Sequence, residues 1–159
     1  MNLLLKDVKL EEKAILRNLI EYYEYDFSGY TGRDVNPSGT FEYKYLDLYW
    51  IEDHRHPFLL LLDDTYIGFA LVRKKIEIDC WSMEEFFVLK KYRRRGLGRR
   101  AAFLLFKGFP GVWRIVQHHK NIQAQKFWRR IIQEFAGGSY RELGKRDSGV
   151  DGPCQEFTV

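Results

Sequence analysis

The stretch at 88–101, VLKKYRRRGLGRRA, most constrains the fold because it joins two segments of different periodicity. Before it, WSMEEFFVL at 81–89 is apolar and β-rich, which predicts a strand. From Leu97 onward, apolar residues recur at the three- and four-residue spacing of a helix. VWRIVQ at 112–117 then predicts another strand. Residues 82–117 are therefore expected to form a β-α-β unit, a right-handed crossover between two parallel strands.

The rest of the chain predicts strands on either side of this unit. Short breaks between consecutive β-rich runs favour antiparallel pairing, so we expect an α+β fold in which one mixed, mostly antiparallel sheet carries flanking helices. Segment 41–53 fits a helix or an irregular aromatic-rich stretch. The other predicted elements are a strand at 3–8, a helix at 9–27, a loop at 28–40, a hairpin at 58–75, a helix after Asn121, and closing strands at 137–143 and 153–159.

Charge is concentrated in one place. Seven of the eleven residues at 90–100 are Lys or Arg, whereas the whole 159-residue chain carries a net charge of +4, so the remaining residues together are net acidic. A local cluster of this kind indicates one anionic partner site rather than a uniformly cationic surface. Nucleic acid and a smaller anion both fit the charges alone.

The glycines favour the smaller anion. Amides at a helix start have no intrahelical acceptor and lie at the positive end of the helix dipole, while Gly96 and Gly98 allow a ligand to approach the backbone. The loop fits neither the dinucleotide fingerprint, whose third glycine is missing, nor a Walker loop, whose first glycine is missing.

Two motifs carry a resemblance to a known family. R-R-R-G-L-G at 93–98 resembles the Q/R-x-x-G-x-G/A motif of the GNAT superfamily of acyl-CoA-dependent N-acetyltransferases, and E-E-F-F-V at 84–88 takes the place of that family's fourth strand. N-I-Q-A-Q-K-F-W at 121–128 resembles the family's N-x-x-A-x-x-F-Y segment. The order of elements fits this fold from about Leu3 to the last residue. The resemblance implies one acyl-CoA N-acyltransferase domain over 1–159, with the β-α-β unit binding the cofactor.

The resemblance also implies roles for individual residues. Acetyl-CoA would be the cofactor, coenzyme A the product, and a small-molecule or protein amine the acceptor. Backbone groups of Phe87 and Val88 would pair with the pantetheine arm where two strands separate. Asn121 would bind that arm or cap its helix, and Phe127 would pack beside it. Arg93 would support the loop, and backbone amides would hold the pyrophosphate along the run Arg94, Arg95, Gly96, Leu97, Gly98 and Arg99.

Glu84 and Glu85 are the candidate catalytic residues, since an amine acceptor is mostly protonated at neutral pH and a base assists the transfer. The pair is similar to the acidic pair of polyamine acetyltransferases. Strand alternation predicts that only one of them faces the substrate. Glu84 is slightly favoured because it shares a face with Phe86 and Val88. The alternative is that both are ordinary polar residues at a strand start.

Trp128 occupies the position at which the family often has a tyrosine that protonates the departing thiolate. An indole N–H supplies no proton at neutral pH. The open alternatives are a proton from water, another residue such as Tyr140 or Cys80, and a protein that binds the cofactor but catalyses poorly. Core packing explains Trp128 better than a chemical role.

The histidines and cysteines give weaker indications. His118 and His119 follow the strand at 112–117, near where an acceptor would enter, but solvated loop histidines are the simpler interpretation. His54 and His56 have the spacing of a metal pair without further ligands, so no metal site is expected.

The remaining expectations concern location and partners. Two cysteines, no signal-like leader and no apolar run near 20 residues predict a cytoplasmic protein without a membrane segment. The aromatic residues between 22 and 50 fit an acceptor wall, core packing or an oligomer surface such as that of a homodimer. Besides an acetyltransferase, a weakly catalytic acyl-CoA sensor and a nucleic-acid-binding domain at 90–100 remain as hypotheses; no nucleic-acid partner is expected, because no recognised nucleic-acid motif is present.

Overall fold

Continuous apolar runs, buried on both faces in the central strands, build the first half of the sheet as an antiparallel meander. The computed structural model describes residues 1–159. Its first four strands, which are neighbours in this order, are β1 (Leu3–Asp7), β2 (Arg55–Leu62), β3 (Thr65–Lys75) and β4 (Cys80–Val88). Asp63 and Asp64 have φ of 46° and 66°, the positive values that a two-residue turn between antiparallel strands requires. The predicted hairpin is thus confirmed.

The β-α-β unit is also confirmed. Helix α2 (Leu97–Gly108) follows β4 and leads to β5 (Val112–Val116), which lies parallel to β4. The sheet continues with β7 (Cys154–Thr158) and the edge strand β6 (Tyr140–Leu143), so the order is β1-β2-β3-β4-β5-β7-β6. The α+β prediction, with one mixed and mostly antiparallel sheet, is correct.

The two parallel strands separate soon after they meet. β4 and β5 pair only at Trp81 with Trp113 and at Ser82 with Arg114. The rest of β4, from Met83 to Val88, has no strand partner on that side. A V-shaped gap therefore opens in the middle of the sheet, with unpaired backbone groups along one side.

Helices cover both faces of the sheet. α1 (Lys13–Thr31) packs on one face through Leu16, Ile20 and their neighbours, where it buries Phe69 and Phe87. On the other face, α2 and α3 (Ile122–Phe135) enclose a core that includes Trp113. A single helical turn, α4 (Lys145–Ser148), precedes β7. No helix combines the length and the apolarity that crossing a membrane requires.

The boundaries of two predicted segments need correction. The loop expected from residue 28 begins only after Thr31, because Ser28 still accepts a helical hydrogen bond, from the N–H of Gly32 at 2.8 Å. Gly32 has φ of 71°, the left-handed conformation that commonly ends a helix. The ambiguous segment at 41–53 contains a short 3-10 helix, Leu46–Trp50.

Gly68 in β3 predicts a large effect on stability. A Cβ atom at this position would lie 2.0 Å from the Phe87 carbonyl oxygen, and backbone cannot move aside as a flexible side chain can. Gly68→Ala is therefore expected to lower the free energy of unfolding by about 3 kcal/mol, measured by urea denaturation. Gly29→Ala, in the exposed last turn of α1 with open space around it, is the control and should raise it by up to about 1 kcal/mol. Equal effects of the two substitutions would contradict this packing.

Candidate active site

The basic stretch folds into a tight turn that delivers the chain into α2. Arg94 has φ of 59° and Gly96 has φ of 73°, so two residues of this turn adopt left-handed backbone. The first helical hydrogen bond runs from the Arg100 N–H to the Gly96 oxygen at 3.1 Å. The amides of Leu97, Gly98 and Arg99 precede it and have no acceptor inside the helix. Free amides at a helix start are suited to an anion.

This helix start lies at one wall of a cavity of about 720 Å³, which is bounded by α1, the free side of β4, the loop and α3. The cavity extends the gap between β4 and β5. It brings together most of the residues that the sequence predicted for the cofactor. Those that line it are Phe87, Val88, Arg93, Arg94, Gly96, Gly98, Arg99, Asn121 and Phe127.

Two predicted cofactor residues do not line the cavity. Leu97 is buried in the core with Leu62 and Ile67. The Arg95 guanidinium lies over the Tyr92 ring, on the outside of the loop. Only the backbone amides of Leu97 and Arg95 remain available for the predicted role, and for Leu97 the buried side chain anchors the helix start.

Two of the arginines brace the structure. The Arg93 Nε donates to the Val88 carbonyl oxygen at 2.7 Å, and its Nη2 donates to the Asp26 carboxylate at 2.6 Å. This bridge ties the end of β4 and the loop to α1. The Arg99 Nε donates to both carboxylate oxygens of Glu134, at 2.8 and 2.9 Å. Sequence reasoning predicted support by Arg93 but saw neither carboxylate partner.

Three other cations face the cavity without an ion-pair partner: Arg94, Lys126 and Arg130. Sequence reasoning missed the two on α3. The signal was present, since Lys126 and Arg130 are four residues apart and four-residue spacing places side chains on one helix face. That these two side chains face the glycine loop across the cavity depends on how α2 packs against α3, and the sequence pattern alone does not show this packing.

The backbone of β4 corrects the expectation for Phe87. The Leu89 N–H donates to the Ile67 oxygen of β3 at 2.8 Å, and the Phe87 carbonyl oxygen points at Gly68. Because backbone groups alternate along a strand, those of Phe86 and Val88 face the gap instead. The predicted backbone pairing by Phe87 is therefore wrong, and Phe86 takes its place beside Val88. Phe87 still contributes to the cavity wall.

Helix α3 closes the cavity from the other side. The Asn121 Oδ1 accepts from the Ala124 N–H at 3.0 Å, which caps the helix as predicted. Phe127 stacks on Phe86 with ring centroids 6.1 Å apart. A Cβ atom on Gly98 would lie only 3.3 Å from the Phe127 ring, so glycine at this position lets α2 and α3 approach closely.

A β-bulge sets the directions of the two candidate catalytic glutamates. Leu71 pairs with Glu85 and Val72 with Met83, so Glu84 has no partner on β3. Both carboxylates consequently point to the α1 face: Glu85 beside Tyr23 and Glu84 beside Tyr49.

The bulge overturns two sequence-based expectations. Alternation predicted that the two glutamates point to opposite faces, only one of them toward the substrate, and that Glu84 shares a face with Phe86. Phe86 instead packs against Phe127 and Trp128 on the opposite face. Glu84 lies 3.8 Å from the Lys75 ammonium and lines neither of the two cavities described, whereas Glu85 lies at the wall of a second cavity.

That second cavity has a volume of about 350 Å³ and adjoins the first, since Tyr23 and Phe27 line both. Its wall carries two carboxylates, of Glu24 and Glu85, two cations, of Arg33 and Lys44, and the rings of Tyr43 and Tyr45. Glu24 pairs with Arg33 at 2.9 Å. The aromatic residues of this region thus form a cavity wall as well as core.

Burial raises the pKa of Glu85 to about 8, only partly offset by the hydroxyls of Tyr23 and Tyr43. The neighbouring Glu24 also raises it, because two negative charges close together repel each other. A carboxyl group with a pKa in this range accepts and returns a proton near neutral pH. Glu85 therefore has the properties of an acid–base group, and carboxylate plus aromatic rings suit a cationic ligand.

The residues considered as proton donors from the sequence do not bring an acidic group to the cofactor cavity. Trp128 packs in the core against Phe86 and Phe106, with only its edge at the cavity. Tyr140 is on the edge strand β6, and Cys80 begins β4 at the end remote from Val88. Neither lines the cavity.

None of the histidines lines either cavity. The His118 ring packs 5.6 Å from the Phe27 ring, and its Nδ1 accepts from the Lys120 N–H at 3.1 Å. His118 thus buttresses α1 from outside the cavity. His54 pairs with Glu52, and His56 packs on Phe109.

Solved structures with the same fold include several acetyltransferases. An acetyltransferase from Thermus thermophilus superposes with a TM-score of 0.76 at 16% identity, covering 100% of this chain and 98% of that one. Spermidine N-acetyltransferase from Vibrio cholerae, in complex with CoA and spermine, gives 0.64 at 12% identity, with 98% and 95% covered. PaiA N-acetyltransferase from Thermoplasma acidophilum, in complex with coenzyme A, gives 0.62 at 12% identity, with 100% of both chains covered.

Sequence comparison agrees with the fold. No curated protein matches the chain. The sequence model of the Acetyltransferase (GNAT) family matches residues 15–132, which is most of the chain and includes the glycine loop and most of α1 and α3. The chain belongs to the GNAT family of acetyltransferases.

Proposed function

We propose that the chain transfers the acetyl group of acetyl-CoA to a primary amine while both substrates are bound. The observation that carries this proposal is the meeting of two unlike cavities at Tyr23 and Phe27. One is lined by cations and helix-start amides, and the other holds the carboxyl group of Glu85. An acyl donor in the first and an amine in the second would lie next to each other, on the two sides of the Tyr23 and Phe27 side chains.

The first cavity fits the chemistry of coenzyme A. The amides of Gly98 and Arg99, with the Arg94 guanidinium, suit a diphosphate. Lys126 and Arg130 add positive charge on the α3 side for a further phosphate. The Val88 N–H and the Phe86 backbone supply strand-like partners for an amide-containing arm along the gap. Acetyl-CoA supplies an acetyl group activated as a thioester.

The second cavity supports an amine as the acceptor. A cationic ammonium group is attracted by the tyrosine rings of the wall and, in its ionised form, by the Glu85 carboxylate. Only a neutral amine attacks a carbonyl carbon, so a proton must leave the nitrogen first or during attack. Glu85 is the group placed to take it. The acceptor of the Vibrio cholerae neighbour, spermidine, makes polyamines a reasonable first choice among small amines.

The ion pairs of the loop weigh against the nucleic-acid alternative. Arg93 and Arg99 are bound to carboxylates of α1 and α3, so the seven charges do not form an open stripe. The sensor alternative rests on Trp128 alone. A carboxyl group with acid–base properties beside the cofactor cavity has no evident use in a protein that only binds acyl-CoA.

The experiment is product identification. Wild-type chain should be incubated with acetyl-CoA and, separately, with spermidine, phenethylamine and a lysine-containing peptide. We expect coenzyme A release and a product heavier by one acetyl group, by mass spectrometry, with at least one of them. The matched control is the N,N-dimethyl form of the active amine, which keeps the charge but yields no stable amide. Acetyl-CoA binding without product from any primary amine would support the sensor instead.

A further inference from the structure

The proposed reaction leaves one proton unassigned. When the bond between the acetyl carbon and sulfur breaks, the sulfur carries the electron pair and needs a proton. The residue after Phe127 cannot donate one, because it is Trp128. Some other group at the cofactor cavity must therefore supply it, or the thiolate must leave unprotonated.

Among the tyrosines of the site, Tyr23 is the one that lines both cavities. Tyr30 lines only the first, and Tyr43 and Tyr45 only the second. Tyr23 and Glu85 lie side by side in the wall of the second cavity, and the Glu85 carboxylate is close enough to raise the pKa of the Tyr23 hydroxyl. A hydroxyl at this junction can exchange a proton with Glu85 on one side and with the donor on the other.

The Tyr23 ring is held rigidly in that position. It stacks on Phe27 with centroids 5.5 Å apart, and it meets the edges of Phe69 at 5.8 Å and Phe87 at 6.1 Å. Three aromatic contacts from α1, β3 and β4 fix the direction of the hydroxyl. A proton donor held in one geometry gives more acceleration than a mobile one.

We infer that Tyr23 is the general acid of this enzyme, taking the place that Trp128 cannot fill, and that Tyr23 and Glu85 together pass one proton from the amine to the departing sulfur. This inference rests on the proposed acetyl transfer. It places the proton donor on α1, whereas the family motif places it on α3 at the position of Trp128.

The step balances in atoms and charge. The neutral amine nitrogen forms a bond to the acetyl carbon, and the bond from that carbon to sulfur breaks with its electron pair on sulfur. The N–H proton passes to the Glu85 carboxylate. The hydroxyl proton of Tyr23 passes to sulfur, and the proton on Glu85 restores the hydroxyl. The products are the acetamide and the coenzyme A thiol, and both side chains return to their starting states.

The electrostatics of the pair are compatible with this exchange. Burial and the nearby Glu85 and Glu24 carboxylates raise the pKa of Tyr23 well above that of a free tyrosine. The hydroxyl is consequently protonated throughout the usual assay range. Its proton is replaced from Glu85 in the same event, so a costly buried tyrosinate does not accumulate.

The test begins with binding, independently of turnover. Wild type and Tyr23→Phe are titrated with coenzyme A and with desulfo-coenzyme A, which lacks only the thiol. We expect wild type to prefer coenzyme A about 3- to 10-fold, because the relay requires the Tyr23 hydroxyl to contact the sulfur. Tyr23→Phe should bind both equally, while Tyr43→Phe, which also loses a hydroxyl beside Glu85, should keep the preference.

Kinetics supply the second readout. With the amine identified above, Tyr23→Phe should lower kcat about 100-fold with little change in KM for acetyl-CoA. Tyr22→Phe, on the exposed side of α1, is the control and should match wild type. The selenoester analogue of acetyl-CoA, whose selenol leaves without protonation, should restore most of the lost rate.

The outcomes separate this inference from the proposed function. If wild type turns over but Tyr23→Phe keeps both its rate and the preference for coenzyme A over desulfo-coenzyme A, the relay is wrong and acetyl transfer stands. A loss of rate that the selenoester does not restore would make Tyr23 a structural residue only, which also overturns the relay. If wild type transfers acetyl to no amine, the proposed function itself fails.

Discussion

Glu85→Gln is expected to lower kcat/KM for the amine about 100- to 10,000-fold, the usual contribution of a positioned general base. Glutamine fills the same space at the cavity wall but cannot accept the proton of the amine. Initial rates of coenzyme A release at saturating acetyl-CoA measure the effect. Glu84→Gln is the matched comparison, because Glu84 is adjacent in sequence and lies outside both cavities. A greater loss in Glu84→Gln than in Glu85→Gln would contradict the assignment.

The pH dependence follows from the pKa of about 8 that burial gives Glu85. The base is the ionised form, so the wild-type rate should rise with pH through about 8, and Glu85→Gln should lack this limb. A pH profile of kcat/KM measures it, since that quantity reports groups of the free enzyme and of the free amine; the amine, with a pKa of about 10, adds a rise at higher pH that Glu85→Gln retains. A wild-type rate that is flat between pH 6 and 9 would contradict the role of Glu85.

Unfolding measurements on Glu85→Gln show whether the variant is inactive because it lacks the base or because its fold is damaged. The folded pKa of Glu85 lies above that of an exposed glutamate, so its contribution to stability is fully present at low pH, below the unfolded value near 4.3, and is lost as pH rises through about 8. A glutamine side chain does not ionise, so the variant loses no stability in this pH range through residue 85. Urea unfolding at pH 9 should show Glu85→Gln at least as stable as wild type; a less stable variant would attribute its inactivity to the fold.

The double variant Lys126→Glu, Arg130→Glu is expected to weaken acetyl-CoA binding at least 100-fold. Both side chains line the cofactor cavity without an ion-pair partner, so reversal replaces attraction of phosphate by repulsion. Thermal and urea unfolding measure the effect: acetyl-CoA at about 100 times its dissociation constant should stabilise wild type by about 2.7 kcal/mol. At the same concentration the double variant should be stabilised by less than about 1 kcal/mol.

Lys107→Glu is the control for the double variant, since it reverses an exposed charge at the far end of α2 and should keep the wild-type stabilisation. Equal stabilisation of the control and the double variant would place the phosphates elsewhere. A short RNA added under the same conditions addresses the nucleic-acid alternative: stabilisation by RNA that falls steeply with salt, in the absence of any effect of acetyl-CoA, would favour it.

The features predicted from sequence are those whose cause is local. The glycine loop, the N-cap at Asn121 and the hairpin at Asp63 each depend on residues within a few positions of one another. Their chemistry is visible in the sequence because turns and caps select particular side chains. The β-α-β unit follows from the same kind of signal, a change of periodicity from two to 3.6.

The features that sequence reasoning missed depend on contacts across the fold. The bulge at Glu84 arises from the register of β4 against β3, and it redirected a carboxylate that alternation had placed on the other face. The partners of Arg93 and Arg99 lie 67 and 35 residues away. No local pattern reveals such pairs. Tyr23 likewise looked like one aromatic residue among many until α1 was packed over β4.

The measurement that tests the central claim most directly is the dependence of initial coenzyme A release on the concentrations of acetyl-CoA and amine together. If the two cavities meet as described, acetyl passes straight from the thioester to the amine. Double-reciprocal plots should then intersect, and without amine the chain should release no coenzyme A and gain no acetyl mass. Parallel plots, with an acetylated chain and coenzyme A release in the absence of amine, would contradict direct transfer.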